Sequence, residues 1–322
     1  MKNINTLNIS FCITDEVNTL INNIDKNLLL VSPVDDENIK INSRARAIHS
    51  SLAIENNSLS LVDVERVLYD RVVFGDSKEI QDVKDINELY ERIDEFNCNS
   101  EESFISAYVI MMKYFDDGNF YRDHGEGIVR DGKIIYVAPN SLVVSSLMRS
   151  LFKFLDDNKD SIHPLILSAI FHYYLVYIHP FSDGNGRIAR FWVHLILNNW
   201  NSKFKYIPIE EEIYLNQDRY YEVINECHNN GNANKFIEFM LKIINSVLEK
   251  TTQKTTQKIN LNANQIKIVE YIKSNPSVTR WELANMLNIS SDGVKYNLKK
   301  LKEKKVIERI GPDKGGYWIV KK

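Results

Sequence analysis

Three cysteines in 322 residues exclude a disulfide framework: Cys12, Cys98 and Cys227 are odd in number, scattered and without metal-ligand spacing. They fit a reducing compartment. Long apolar runs are missing too, since no stretch approaches the roughly 20 residues that span a bilayer. The start, Met1-Lys-Asn-Ile-Asn-Thr-Leu-Asn, has no signal-peptide core. The expected setting is therefore cytoplasmic, with no membrane contact. Glycine and alanine are scarce beside Asn, Ile and Lys, the usage of an AT-rich bacterial genome. With 44% hydrophobic and 26% charged residues, the chain is an ordinary globular protein long enough for two or three domains.

The small net charge of −3 conceals a segregation. From Ile259 to Lys322 there are 13 Lys and Arg against 6 Asp and Glu, a net of +7; the remainder holds 27 against 37, a net of −10. The join is the polar tandem Thr-Thr-Gln-Lys-Thr-Thr-Gln-Lys at 251–258, which lacks apolar periodicity and reads as a linker over 249–258.

Residues 179–190 read His-Pro-Phe-Ser-Asp-Gly-Asn-Gly-Arg-Ile-Ala-Arg. His179 can take a proton from a hydroxyl near neutral pH. Asp183 is a hard oxygen ligand suited to Mg²⁺. Gly184 and Gly186 let the backbone approach a ligand closely, and Arg187 and Arg190, three apart, share a helix face and can fork onto phosphate. The flanking periodicity predicts an almost wholly apolar helix over 164–178 and a second from Arg187 to Trp200, with Ile188, Phe191, Trp192, Leu195 and Ile196 inward. A loop between two such helices places an anion site at the second helix's N-terminus.

This stretch matches the pattern His-Pro-Phe-x-(Asp/Glu)-Gly-Asn-Gly-Arg-x-x-Arg at every specified position and resembles the Fic family, from about Arg44 to about Leu248. Most members are protein adenylyltransferases that move AMP from ATP to a target hydroxyl. The resemblance implies His179 as general base toward a Ser, Thr or Tyr of a protein substrate. It puts Asp183 on Mg²⁺, Gly184 in the turn, Asn185 and the Gly186 amide at the anion hole, and Arg187 and Arg190 on the β- and γ-phosphates.

A second pattern, Ser51-Leu-Ala-Ile-Glu55-Asn56, resembles the family's inhibitory motif (Ser/Thr)-x-x-x-Glu-(Gly/Asn). A short helix is expected over Ser43 to Glu55, with Ser51 and Glu55 on one face. In inhibited relatives this glutamate reaches the second arginine, here Arg190, and displaces the γ-phosphate. The motif's place upstream makes this an N-terminal inhibitory helix.

Short β-rich runs around Asp131-Gly132 predict a hairpin within 121–141. It resembles the family's flap, with Gly127, Ile128 and Val129 pairing with an extended stretch of the target. Tyr220 and Tyr221 match an aromatic pair near the adenine. His228 stands where relatives often have Asn, a departure bearing on the adenine contact.

In the basic module, a helix is expected over 264–274. Thr279 caps a second through Leu287 with Glu282 at the capping-box position, and a third runs from Ser290 or Ser291 to about Lys304. A hairpin of 306–310 and 317–320 follows. Three helices and a wing resemble a winged helix-turn-helix. The resemblance directs Ser291, Lys295, Tyr296 and Lys299 to the major groove of DNA and Lys314 on the wing to phosphate.

The expected fold is mainly α: a Fic-type helical bundle with a β-hairpin flap, plus a C-terminal winged helix-turn-helix. The parts are an N-terminal helical region (1–100), a catalytic domain (101–248), the linker (249–258) and the winged module (259–322); residues 1–42 carry no legible motif. A second reading makes the protein a DNA-binding regulator with a nucleotide-sensing body, and a third adds removal of AMP. A homodimer is left open.

Overall fold

The computed structural model describes residues 7–32, 34, 36–113, 121–130, 133–258, 261–304, 306–312 and 315–320. The first helices are α1 (Asp15–Leu30), α2 (Glu37–Ile54), α3 (Leu61–Leu68), α4 (Ser77–Glu91) and α5 (Glu101–Met111). Each starts where a short polar side chain precedes an apolar periodicity. Thr14, Asp36, Ser60, Asp76 and Ser100 all accept backbone N–H groups of the turn they open.

An antiparallel hairpin follows, β1 (Gly127–Arg130) and β2 (Lys133–Val137), with Gly127 opposite Val137 and Ile128 opposite Tyr136. The register shifts between Ile128 and Val129. Next come α6 (Ser141–Asn158), α7 (Pro164–Ile178), α8 (Asn185–Trp200), α9 (Ile209–Leu215), α10 (Gln217–Asn230) and α11 (Asn234–Lys258). Helix α7 is buried on nearly every side, as its almost wholly apolar sequence demands, and α8 is buried as deeply although it carries Arg187, Arg190, His194 and Asn198 inward. Phe104 of α5, Phe171 of α7 and Trp192 of α8 form an aromatic cluster between them. Each such ring contributes about 1.5–3 kcal/mol by leaving water, and together they fix the helix pair that carries the 179–190 loop.

One apolar core runs from Val17 to Leu248, across the expected boundary at residue 100. Polar contacts reinforce it, with Ser10 donating its N–H to the Tyr174 hydroxyl and Asn27 bonding Asn245. The silence of residues 1–42 hid α1 and the first turns of α2, although the inward positions of α1, Val17, Ile21, Ile24 and Leu28, are spaced for a helix.

A second compact unit spans Thr251–Lys322. It holds α12 (Ala263–Ser274), α13 (Arg280–Leu287), α14 (Ser291–Glu303) and the antiparallel pair β3 (Ile307–Ile310) and β4 (Tyr317–Val320), around a core including Ile268, Leu283, Val294 and Leu301. Asn262 and Thr279 make full capping boxes with Gln265 and Glu282. The tandem Thr-Thr-Gln-Lys stretch, expected as a linker, is helical as the last part of α11. Lys and Gln lose little freedom in a helix, and a helix already nucleated on a buried face extends cheaply.

Candidate active site

The loop between α7 and α8 is built on two left-handed residues. His179 ends α7 at φ 51°, and its N–H is held by the Leu175 carbonyl; Gly184 precedes α8 at φ 78°. Glycine tolerates that region freely, whereas a histidine there is strained and needs outside support. The Asn185 side chain closes the loop: its Oδ1 accepts the Phe181 N–H at 3.0 Å and its Nδ2 donates to the Phe181 carbonyl at 2.7 Å. Asn185 thus shapes the loop with one Nδ2 hydrogen and its Oδ1. Its own N–H and those of Gly186 and Arg187 have no acceptor among the described residues, which leaves three donors at the positive end of α8.

Asp183 Oδ1 accepts the Gly184 N–H, and Oδ2 pairs with Arg187 at 2.7 Å. Arg187 is buried, with Asp82 3.8 Å away. The Asp183 side chain is 58% exposed. No cluster of three or more metal-ligating side chains occurs among the described residues. An exposed lone carboxylate suits Mg²⁺, which keeps waters and takes phosphate oxygens for the rest of its shell.

Arg190 is 2% exposed and its guanidinium faces α2. Nε donates to Ser51 Oγ at 3.0 Å, and Nη2 donates to the Ser51 carbonyl at 2.9 Å and to Glu55 Oε1 at 2.7 Å. Burial is the strongest single influence and opposes the charge on Arg190, but the Glu55 carboxylate together with Tyr220 and Tyr221 raises its pKa overall. Nη1 is buried without a partner among the described residues. Glu55 Oε1 lies 2.3 Å from where a Cβ on Gly186 would stand, and Arg190 Nη1 3.0 Å from it. Three features converge at that point: an unpaired guanidinium N–H, a helix N-terminus and a carboxylate already in place.

Helix α2 begins at Glu37, six residues before the expected start, and Glu55 caps its C-terminal end. The end is held from both sides. Gln217 Nε2 and the Tyr221 hydroxyl donate to the Ile54 carbonyl at 3.3 and 3.4 Å, while Ser58 donates twice to Glu79. Asn56, at φ 66°, makes the turn that follows.

Burial lowers the His179 pKa, as does the nearby Arg122 cation, while the Val176 carbonyl, Glu126 and Glu55 pull it the other way. The neutral imidazole, the form a base requires, is thereby favoured. His228 lies within electrostatic reach and is itself pushed down to about 4, chiefly by burial and then by His179. Its ring stacks on Tyr136 of β2 at 4.1 Å, so it braces the hairpin.

The paired tyrosines part company. Tyr220 is buried and shares a hydrogen bond with buried His172. Tyr221 is 39% exposed beside the end of α2. The period of α10 forces this split, because adjacent residues point about 100° apart.

Arg122 is a site residue that no sequence pattern marks. Buried at 5% exposure, it donates from Nε to the His179 carbonyl at 2.7 Å, from Nη1 to the His124 carbonyl at 2.7 Å, and from Nη2 to the Pro139 and Ile178 carbonyls at 2.5 and 3.3 Å. Its own N–H reaches the Pro180 carbonyl at 2.9 Å. Local periodicity cannot reveal such a residue, since its partners come from three separate segments.

In the C-terminal unit, Ser291, Lys295, Tyr296 and Lys299 are all exposed on α14, as expected. Lys314 lies outside the described residues. A groove between the start of α13, α14 and the β3–β4 pair adds Arg280, Lys302 and Arg309, which no motif singles out.

A histidine at a helix end, a glycine turn and two inward guanidiniums on the next helix make up the site. Residues 81–197 match the Fic/DOC family, and residues 261–308 match the winged helix-turn-helix DNA-binding family. The chain carries a Fic domain followed by a winged helix-turn-helix domain. Over 104 residues it is 38% identical to a protein adenylyltransferase Fic of Nematostella vectensis, covering 30% of this chain and 22% of that one. Over 236 residues it is 28% identical to the protein adenylyltransferase Fic of Aedes aegypti, covering 67% and 44%. The chain thus spans less than half the length of these relatives. The crystal structure of a Fic family protein from Desulfovibrio desulfuricans G20 matches with a TM-score of 0.72 at 29% identity, covering 98% of both chains.

Proposed function

We propose that the protein is a protein adenylyltransferase restrained by Glu55. The observation that carries this reading is the convergence of the Glu55 carboxylate, the buried Arg190 guanidinium and the free amides of α8 on one point. Such a point suits an anion, and Glu55 is the anion present. ATP is the donor in this reading, with its γ-phosphate taking the place of Glu55 on Arg190.

In the reaction, a Ser, Thr or Tyr hydroxyl of the target loses its proton to the neutral imidazole of His179 as its oxygen attacks the α-phosphorus. The new O–P bond forms as the bond from the α-phosphorus to the β-bridging oxygen breaks, and pyrophosphate leaves. The α8 amides and Arg190 hold the phosphates still, which supplies most of what a phosphoryl-type transfer needs from a protein. Asp183 would hold Mg²⁺, which neutralises phosphate charge when bound. The target segment lies along the hairpin, whose base borders a cleft lined by Gly125, Glu126, Gly127, Val137 and Pro139. Such a strand-to-strand mode presents a hydroxyl without reading much sequence.

The winged unit takes the protein to DNA, or to a target bound there, through the exposed basic face of α14. A cytoplasmic setting belongs to the same reading. The regulator reading, in which the body only senses nucleotide, is disfavoured by the intact His179 of the loop, since a sensor needs no base.

The test is incubation with α-labelled ATP and Mg²⁺ of the parent, Glu55→Gly and His179→Ala proteins with cell lysate. Label should rise in the first variant and vanish in the second. Absence of label from all three would sink the enzyme reading.

A further inference from the structure

We propose that Arg122 is a positioning residue for the base: it fixes His179 in its left-handed conformation and ties that conformation to the foot of the hairpin. The inference rests on the adenylyltransferase reading for its catalytic consequence, but not for its structural content.

Helix α7 ends at Ile178, and the carbonyls of its last turn have no helical partner. Arg122 supplies donors to two of the carbonyls at this end, those of Ile178 and His179. A cation at a helix C-terminus also complements the dipole. The same guanidinium bonds the His124 carbonyl, three residues before β1, and the Pro139 carbonyl, two residues after β2. Both feet of the hairpin and the backbone of the base therefore meet on one planar fork. With the Arg122 N–H on Pro180, the loop is held on both sides of the His179–Pro180 bond. A non-glycine residue at φ 51° is costly without such support. A lysine cannot replace the fork, because its ammonium is a point donor and cannot span four carbonyls in one plane.

The arrangement has an electrical side. Burial and Arg122 oppose protonation of His179; against them stand the Val176 carbonyl, Glu126 from the foot of the hairpin and Glu55 from the end of α2, while His228 from α10 is itself kept neutral by burial and by His179. Loss of the Arg122 charge raises the His179 pKa, and loss of the fork alone leaves that charge in place.

The experiment compares Arg122→Met and Arg122→Lys, each in the Glu55→Gly background, by NMR titration of the His179 ring, amide exchange at Ala138, thermal melting and kinetics of labelling. Ala138 donates its N–H to the Glu126 carbonyl and closes the foot of the hairpin. In Arg122→Met the His179 midpoint should move to higher pH. In Arg122→Lys it should stay near the parent, while Ala138 exchange speeds at least tenfold and that of the α8 core does not. Labelling kcat should fall about a hundredfold in both, with the KM for ATP within about threefold, as misplacing a base by an ångström does. An unmoved His179 midpoint in Arg122→Met, or unchanged Ala138 exchange in Arg122→Lys, would overturn the proposal. A kcat loss that merely follows the melting temperature, or a KM rising in step, would do the same. If Arg122→Met does not fold, the Arg122→Lys exchange result alone decides. If the parent Glu55→Gly protein transfers no label, the adenylyltransferase reading fails, and the titration and exchange still decide the role of Arg122.

Discussion

Glu55 and Gly186 contest one small volume. The carboxylate oxygen sits 2.3 Å from where a side chain at 186 would begin, so glycine at that position is what lets the acid reach the first turn of α8. Removing the acid should open the site. In Glu55→Gly we expect ATP affinity and labelling to rise by about ten- to a hundredfold, the value of one charge-assisted hydrogen bond of ~1.5–3 kcal/mol. Calorimetric ATP titration beside the labelling assay checks both. Equal affinity in parent and variant would mean that Glu55 does not restrain the site.

The same relationship makes a second prediction. If a phosphate oxygen takes the place of the Glu55 carboxylate, a methyl group at 186 fills that place. Gly186→Ala should therefore lower labelling at least tenfold even in the Glu55→Gly background, with a melting temperature within a few degrees of the parent. Retained activity in the double variant would mean that the phosphates bind elsewhere.

The pH dependence follows from His179. Its pKa is depressed below 6.5, so the free base persists to lower pH than for an exposed histidine. Labelling by Glu55→Gly should rise along a limb centred below pH 6.5 and be flat from there to pH 8. A limb centred above pH 7 would place a different group in the role of base.

Stability should depend on two other histidines. His172 titrates near 3 and His228 near 4 in the fold, both below the unfolded value of 6.5. Between those limits the unfolded chain binds more protons, so stability rises with pH, is complete above 6.5 and is lost as pH falls. Each should cost about 1.4 kcal/mol per pH unit from roughly pH 6 to 4. Urea midpoints read this directly, and His228→Asn should lessen the slope.

For the C-terminal unit, Lys295→Ala with Lys299→Ala should weaken binding of the full chain to duplex DNA uniformly across sequences. The slope of log affinity against log salt should fall by about 2, near 0.9 for each phosphate that a lysine no longer neutralises. Undetectable binding of the parent at low salt would direct this unit toward protein partners.

Much of the site was legible because its parts are adjacent in sequence. The twelve residues from His179 to Arg190 form one loop and helix, and Ser51 and Glu55 lie one turn apart at the end of α2. What escaped depends on packing between distant segments. Asn185 bonds back to Phe181, Tyr220 is turned into the core by the period of α10, and Arg122 gathers carbonyls from residues 2 to 57 positions away. Helix α1 escaped because the polar Asn and Asp between its apolar positions dilute its stripe. In the winged unit, the caps at Asn262 and Thr279 are local signals. Arg280 and Arg309 join the basic groove only because α13 and β3 both pack against α14.

The left-handed backbone at His179 bears on how this residue can be removed cleanly. Alanine there would carry the same unfavourable torsion with nothing to recommend it, and the loop could relax toward ordinary helix geometry. Asparagine, among the side chains most at ease with positive φ, would delete the imidazole while leaving the chain's path undisturbed. An inactive asparagine form should therefore still bind nucleotide and target as the parent does, which makes it the better bait for a substrate of the proposed transfer.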